Sequence, residues 1–229
     1  MAFSPEISDE IYKYCNNHLA QENWYENEFN FIKDDALRNR LVEEFRAIRF
    51  AYKIYEGIAA KDENLIFEVR NQILGYATIY EAVIEQVLTE YYSDTTEFDD
   101  LMHHTVPVQI SIPLDKQNDL QSALSHNGEM VVPFSYRRKK KEKSQVRFDD
   151  KCRTAEKLGI IKSFKNMEGI EVDLPSEIIE IYSYRNGIHL IAEQRKRITY
   201  ELELSKKAYR RMRPFIEQVK SKLTEDGKI

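Results

Sequence analysis

The sequence predicts a mainly α-helical protein, an up-and-down helical bundle with an irregular or short β insertion in its middle. Three observations carry this. Glycine and proline are scarce, 7 and 6 among 229 residues, which disfavours a turn-rich all-β fold. Apolar residues recur every three or four positions over several long stretches, the signature of helices that bury one face. Only the middle of the chain replaces that rhythm with β-branched residues and prolines. With 42% hydrophobic and 32% charged residues, the chain reads as soluble and globular, and it is long enough to build a core.

Taken in order, Ser4 and Pro5 form a helix start, serine as cap and proline in the first turn, with a short helix through Tyr14 and Leu19. Leu37, Leu41, Phe45, Ile48, Tyr52 and Tyr55 predict one helix over 26–60. Leu65, Val69, Ile73, Tyr76, Tyr80, Val83 and Val87 predict a second over 63–92, and the short connection between them predicts an antiparallel hairpin. Residues 106–114 and 129–136 alternate partially but contain prolines, so any strands there are short or edge-like. The basic run Arg137 to Lys143 reads as a solvated loop. Further helices are predicted at 149–160, stopping at Gly159, at 175–194 after the Asp173 start signal, and at 198–223, where Pro214 would kink or split the last one. This divides the chain into N-terminal helices (1–94), an insertion or arm (95–147) and C-terminal helices (148–229), together one domain.

Charge is distributed unevenly. Residues 1–100 hold 21 acidic and 9 basic side chains, whereas 101–229 hold 18 and 25. A basic half can present a face to nucleic acid even when the whole chain is acidic, although the two halves could equally attract each other. No run of about 18 apolar residues argues for a membrane span, and the first residues lack a signal-peptide pattern, so the expected location is the cytoplasm. Cys15 and Cys152 are too far apart in sequence for a Cys-x-x-Cys site and are expected to be reduced thiols, with no metal or other cofactor implied.

The candidate chemistry lies in Tyr184-Arg-Asn-Gly-Ile-His189. Arg185 and His189 are four residues apart, which on a helix places both on one face. Histidine moves protons near neutral pH, and arginine holds a phosphate by two parallel hydrogen bonds. Spacing alone is a weak signal that occurs by chance, and it fits an ordinary charged pair on a helix surface better. Glu81 interrupts the apolar stripe of the second long helix, and with Glu85 it is a candidate to hold Arg185 in place. The last helix is basic. Arg195, Lys196 and Arg197 precede it and Arg210 and Arg211 lie within it, candidates for an RNA track in which Tyr209 stacks on a base or, instead, joins the core. The adjacent His103 and His104 would point to opposite faces of a strand and lack a partner at ligand spacing.

The segment Phe148 to Ile161, a helix closed by Gly159 and Ile160, then a loop, then Leu174 to His189 ending in Arg-Asn-Gly-Ile-His, resembles the HEPN superfamily of helical domains. The likeness covers 148–192 closely and extends back to about 63, where Ile79 to Leu88 looks like the family's preceding long helix with its site-facing glutamate. Leu190 stands where many members carry proline. The resemblance implies a bundle of HEPN type that forms a homodimer, with the Arg and His motifs of two subunits meeting at the interface. It implies metal-independent cleavage of RNA by the 2′-hydroxyl. His189 would be the acid/base group, Arg185 the phosphate stabiliser and Asn186 a supporting polar residue. Relatives of this kind serve in antiviral defence or toxin–antitoxin systems. Others are inactive and act as interaction subunits, which here would mean a larger protein partner encoded nearby.

Overall fold

The structure, a computed structural model, describes residues 3–124, 129, 132–187 and 200–229. It is a helical bundle with a small two-stranded antiparallel ribbon in the middle of the chain, the architecture expected from the sequence.

Helix α1 (Pro5–Asn17) begins as its cap dictates, with Ser4 accepting a hydrogen bond from the Ile7 amide at 3.4 Å. The single helix expected over 26–60 is instead two, α2 (Glu22–Glu28) and α3 (Asp35–Gly57). The link between them buries Phe29, Phe31 and Ile32, three apolar side chains too closely spaced to share one helical face. Asp34 then restarts the helix by accepting from the Leu37 amide at 3.0 Å. After a turn in which Ala59 holds a positive φ of 49°, α4 (Asp62–Tyr91) runs for 30 residues, about 45 Å. The α3–α4 pair is antiparallel: Ile48 meets Gly75, while Leu37 and Ala82 share a groove further along.

The middle of the chain is more ordered than an irregular arm. It contains α5 (Thr96–Leu101), β1 (His103–Gln109), α6 (Leu114–Ala123) and β2 (Phe134–Lys140). The strands pair antiparallel from His103 opposite Lys140 to Gln109 opposite Phe134. The basic run is therefore strand as far as Lys140, not loop. Its charges remain in water because the ribbon is only two strands wide, while its backbone groups are satisfied by β1.

A 3-10 turn (Lys143–Gln145) leads into α7 (Phe148–Lys157), which ends where Gly159 takes a φ of 73°. A small hairpin not foreseen in the sequence, β3 (Phe164–Lys165) and β4 (Glu171–Val172), closes around Asn166, whose side chain accepts from the Glu168 and Ile170 amides. Helix α8 (Leu174–Arg185) starts at Asp173, which accepts from the Ser176 amide at 3.1 Å, and stops well short of residue 194. Asn186 is its C-cap, and the Gly187 amide bonds back to Tyr184 at 2.9 Å. Helix α9 (Leu202–Glu225) continues through Pro214 without splitting.

Helix α4 is the hub, with α3, α7, α8 and α9 packed around it. Tyr76, Tyr80, Val83 and Val87 face Ile178 and Ile181 of α8 and Met212, Phe215 and Val219 of α9 in one buried cluster. The Tyr80 hydroxyl, fully enclosed, donates to the Ala208 carbonyl at 2.8 Å. Tyr209 packs against Phe45 and Tyr76, with the Arg49 guanidinium 3.8 Å over its ring. Among the described residues no helix is long and apolar enough to cross a membrane.

Candidate active site

The packing of α8 on α4 sets the site. Ile178 and Ile181 are buried against α4, so the next positions, Tyr182 and Arg185, emerge at the edge of that contact beside Glu81. Arg185 Nη1 donates to Glu81 Oε2 and, at 3.0 Å, to the Tyr182 hydroxyl. The Tyr182 hydroxyl donates in turn to Glu81 Oε1 at 2.8 Å. Three side chains thus form a closed triangle, each touching the other two. The Arg185 guanidinium lies 5.2 Å from the centre of the Tyr182 ring, and that ring stacks on Phe148 at 4.1 Å and 31°. The start of α7 is thereby fixed to the end of α8.

Arg185 makes both described bonds through one nitrogen. Among the described residues its Nη2 and Nε have no partner, and its side chain is 31% exposed. That leaves the two parallel donors of one guanidinium edge, the geometry that receives two oxygens of a phosphate.

Glu81, Tyr182 and Asn186 line an open cleft of about 750 Å³. Its other wall is built from the 3-10 turn and the start of α7: Lys143, Ser144, Arg147, Phe148 and Lys151. Glu85 lines the cleft as well, but it pairs with Lys151 at 2.7 Å rather than with Arg185. Burial, and then the neighbouring Glu81 carboxylate, push the Tyr182 hydroxyl above its ordinary range, so it stays a neutral donor at physiological pH.

The remaining candidates are placed as follows. His189, Arg195, Lys196 and Arg197 lie outside the described residues. Asn186 is at the cleft, as the C-cap of α8. Arg211 is committed to Glu177, near the opposite end of α8 from Arg185, and Lys207 pairs with Glu180 at 2.7 Å and Glu177 at 3.4 Å. Two of the seven basic side chains of α9, Lys207 and Arg211, are therefore matched to the acids of α8, Lys206 and Arg213 pair within α9, and Arg210 is exposed. His103 Nδ1 lies 2.7 Å from the Asp99 carbonyl. Cys15 and Cys152 are buried free thiols, and burial raises the pKa of each. Among the described residues no group of three or more His, Cys, Asp or Glu side chains is placed to hold a metal ion.

Sequence reading did not identify Phe148, Lys143, Arg147 or Lys151 as cleft residues. Tyr182 is not singled out by the sequence either, although its place three before Arg185 is a legible signal of contact. The cleft bases carried no such signal, because they reach the site by the folding-back of α7 on α4.

No family model, curated protein or solved structure matches the chain.

Proposed function

We propose that the protein is a HEPN-like, metal-independent endoribonuclease whose reaction centre is the edge of Arg185 that faces away from Glu81, with His189 as the acid/base group. The observation that carries this reading is a guanidinium fixed through Nη1 by Glu81 and Tyr182, whose Nε and Nη2 have no partner among the described residues, beside an open cleft that brings Lys143 and Arg147 together with Glu81, Glu85 and Asp149. In the reaction the RNA 2′-oxygen attacks the adjacent phosphorus and the bond to the 5′-oxygen breaks. A cyclic phosphate and a 5′-hydroxyl result. His189 takes the proton of the 2′-hydroxyl and returns it to the departing 5′-oxygen, and Arg185 stabilises the charge developing on the phosphate oxygens. Two copies of the chain would bring two such motifs together in a homodimer, with a toxin or antiviral-defence role.

The test is incubation of purified protein with labelled RNA in EDTA, followed by end-group analysis. Cyclic-phosphate ends are expected; RNA left intact contradicts the assignment. A second reading is favoured by the closed Glu81–Tyr182–Arg185 triangle, which also suits an arginine whose task is to hold α8 on α4. On that reading the protein is a non-catalytic interaction subunit for a larger partner encoded nearby, and it co-purifies with that partner while leaving RNA uncut.

A further inference from the structure

We infer that the β1–β2 ribbon is a docking arm for single-stranded nucleic acid that feeds the cleft beside Arg185. This deepens the ribonuclease reading and rests on it for the destination of the strand, but not for the binding itself.

Three observations meet here. First, β2 and the turn after it carry Arg137, Lys139, Lys140, Lys141 and Lys143, followed by Arg147 at the start of α7. Among the described residues none of these six makes an ion pair, whereas most other cations of the protein are matched to carboxylates. Arg137 and Lys139 lie on one face of β2 and Lys140 on the other, so this row of unmatched cations occupies both faces of the thin ribbon and is complementary to a polyanion.

Second, the row is continuous with the cleft. Lys141 is tied to the end of α5 by its amide, which donates to the Met102 carbonyl at 2.7 Å. Two residues later Lys143 lines the cleft, and Arg147 lines it too. The ribbon spans about 23 Å at the rise of a strand, so a chain lying along it reaches the cleft past one exposed acid, Glu142.

Third, the ribbon bears exposed aromatic rings among its charges. Phe134, Tyr136, Arg138 and Lys140 alternate onto one face of β2. Tyr136 is 72% exposed and Phe134 51%, and the residues opposite them, Pro107 and Gln109, leave both rings open. Rings at the outer end of a cationic strand stack on unpaired bases while the cations further along follow the phosphates. That combination selects a single strand over a duplex, whose bases are already stacked. An anionic membrane would be served by the charges alone.

The experiment is fluorescence anisotropy of a labelled 12-nucleotide single-stranded RNA titrated with full-length protein at several salt concentrations. Replacing Lys139, Lys140 and Lys141 together by alanine is expected to lower the salt slope by about 2, three phosphate contacts at about 0.7 each. Tyr136→Ala is expected to weaken binding about tenfold with the salt slope unchanged. Circular dichroism checks that both variants fold. Wild-type affinity and slope in both variants would overturn the proposal, as would binding to phosphatidylserine vesicles with none to RNA. Arg185→Ala separates the two readings. If it and the wild type bind RNA equally and neither cleaves, the nuclease reading fails and the arm stands. If the wild type cleaves and the ribbon variants cleave and bind as well as it does, the arm fails and the nuclease reading stands.

Discussion

Arg185, the last residue of α8, and Glu81, in the middle of α4, are 104 positions apart in sequence and joined side chain to side chain. The Tyr182 hydroxyl bridges the same pair. Glu81 and Tyr182 therefore hold the guanidinium through Nη1, leaving Nε and Nη2 without a partner among the described residues.

Replacing Glu81 separates positioning from charge. Both partners are about a third exposed or less, so the pair is partly screened, and Glu81→Ala is expected to cost about 1 kcal/mol of stability. Glu81→Gln keeps a hydrogen-bond acceptor and is expected to cost less. RNA cleavage should fall at least tenfold in Glu81→Ala, with partial retention in Glu81→Gln, measured beside thermal unfolding of each.

Tyr182→Phe keeps the ring on Phe148 and removes the two hydroxyl bonds. A loss of about 1 kcal/mol is expected. Tyr182→Ala also removes the stacked ring and should cost about 3 kcal/mol or more. Denaturant melts of the two variants measure the difference.

Gly75 lies where α3 and α4 approach closely. A Cβ there would stand 2.4 Å from Ile48 Cδ1 and 2.7 Å from its Cγ1, and Ile48 is itself buried. Alanine would gain about 1 kcal/mol of helix propensity. The overpacking costs about 1–3 kcal/mol, so Gly75→Ala is expected to lower Tm despite being the better helix former.

The cap of α8 gives a pH dependence. Hydrogen bonds from Ser176, by its side chain and its amide, hold the Asp173 carboxyl below its ordinary range. A depressed folded-state pKa contributes stability that is present above the unfolded value near 4. It is lost as pH falls through the lower folded value. Asp173→Asn, which still caps but does not titrate, should flatten that part of the stability curve below about pH 4 when unfolding is followed at a series of pH values.

Elements with strong periodicity and a clear cap were legible in the sequence. Asp62–Tyr91 lies within a residue of the expected 63–92, and Ser4 and Asp173 begin helices as their chemistry requires. The break at Asp34 was not legible, because Phe29, Phe31 and Ile32 also suit a helical stretch until tertiary burial makes them a link. The ribbon was misread at its basic end because strand pairing with β1 satisfies the backbone whatever the side chains are. Glu81 stood out as a carboxylate in an apolar stripe, and it reaches Arg185. The cleft bases Lys143, Arg147 and Lys151 come from a segment whose approach to α4 no local pattern encodes.

The most direct test compares wild type, Arg185→Ala and His189→Ala on labelled RNA in EDTA, with circular dichroism confirming that all three are folded. The expected result is cleavage to cyclic-phosphate ends by the wild type and at least a hundredfold loss in each variant. Cleavage at the wild-type rate in both variants would contradict a reaction centred on Arg185 and His189.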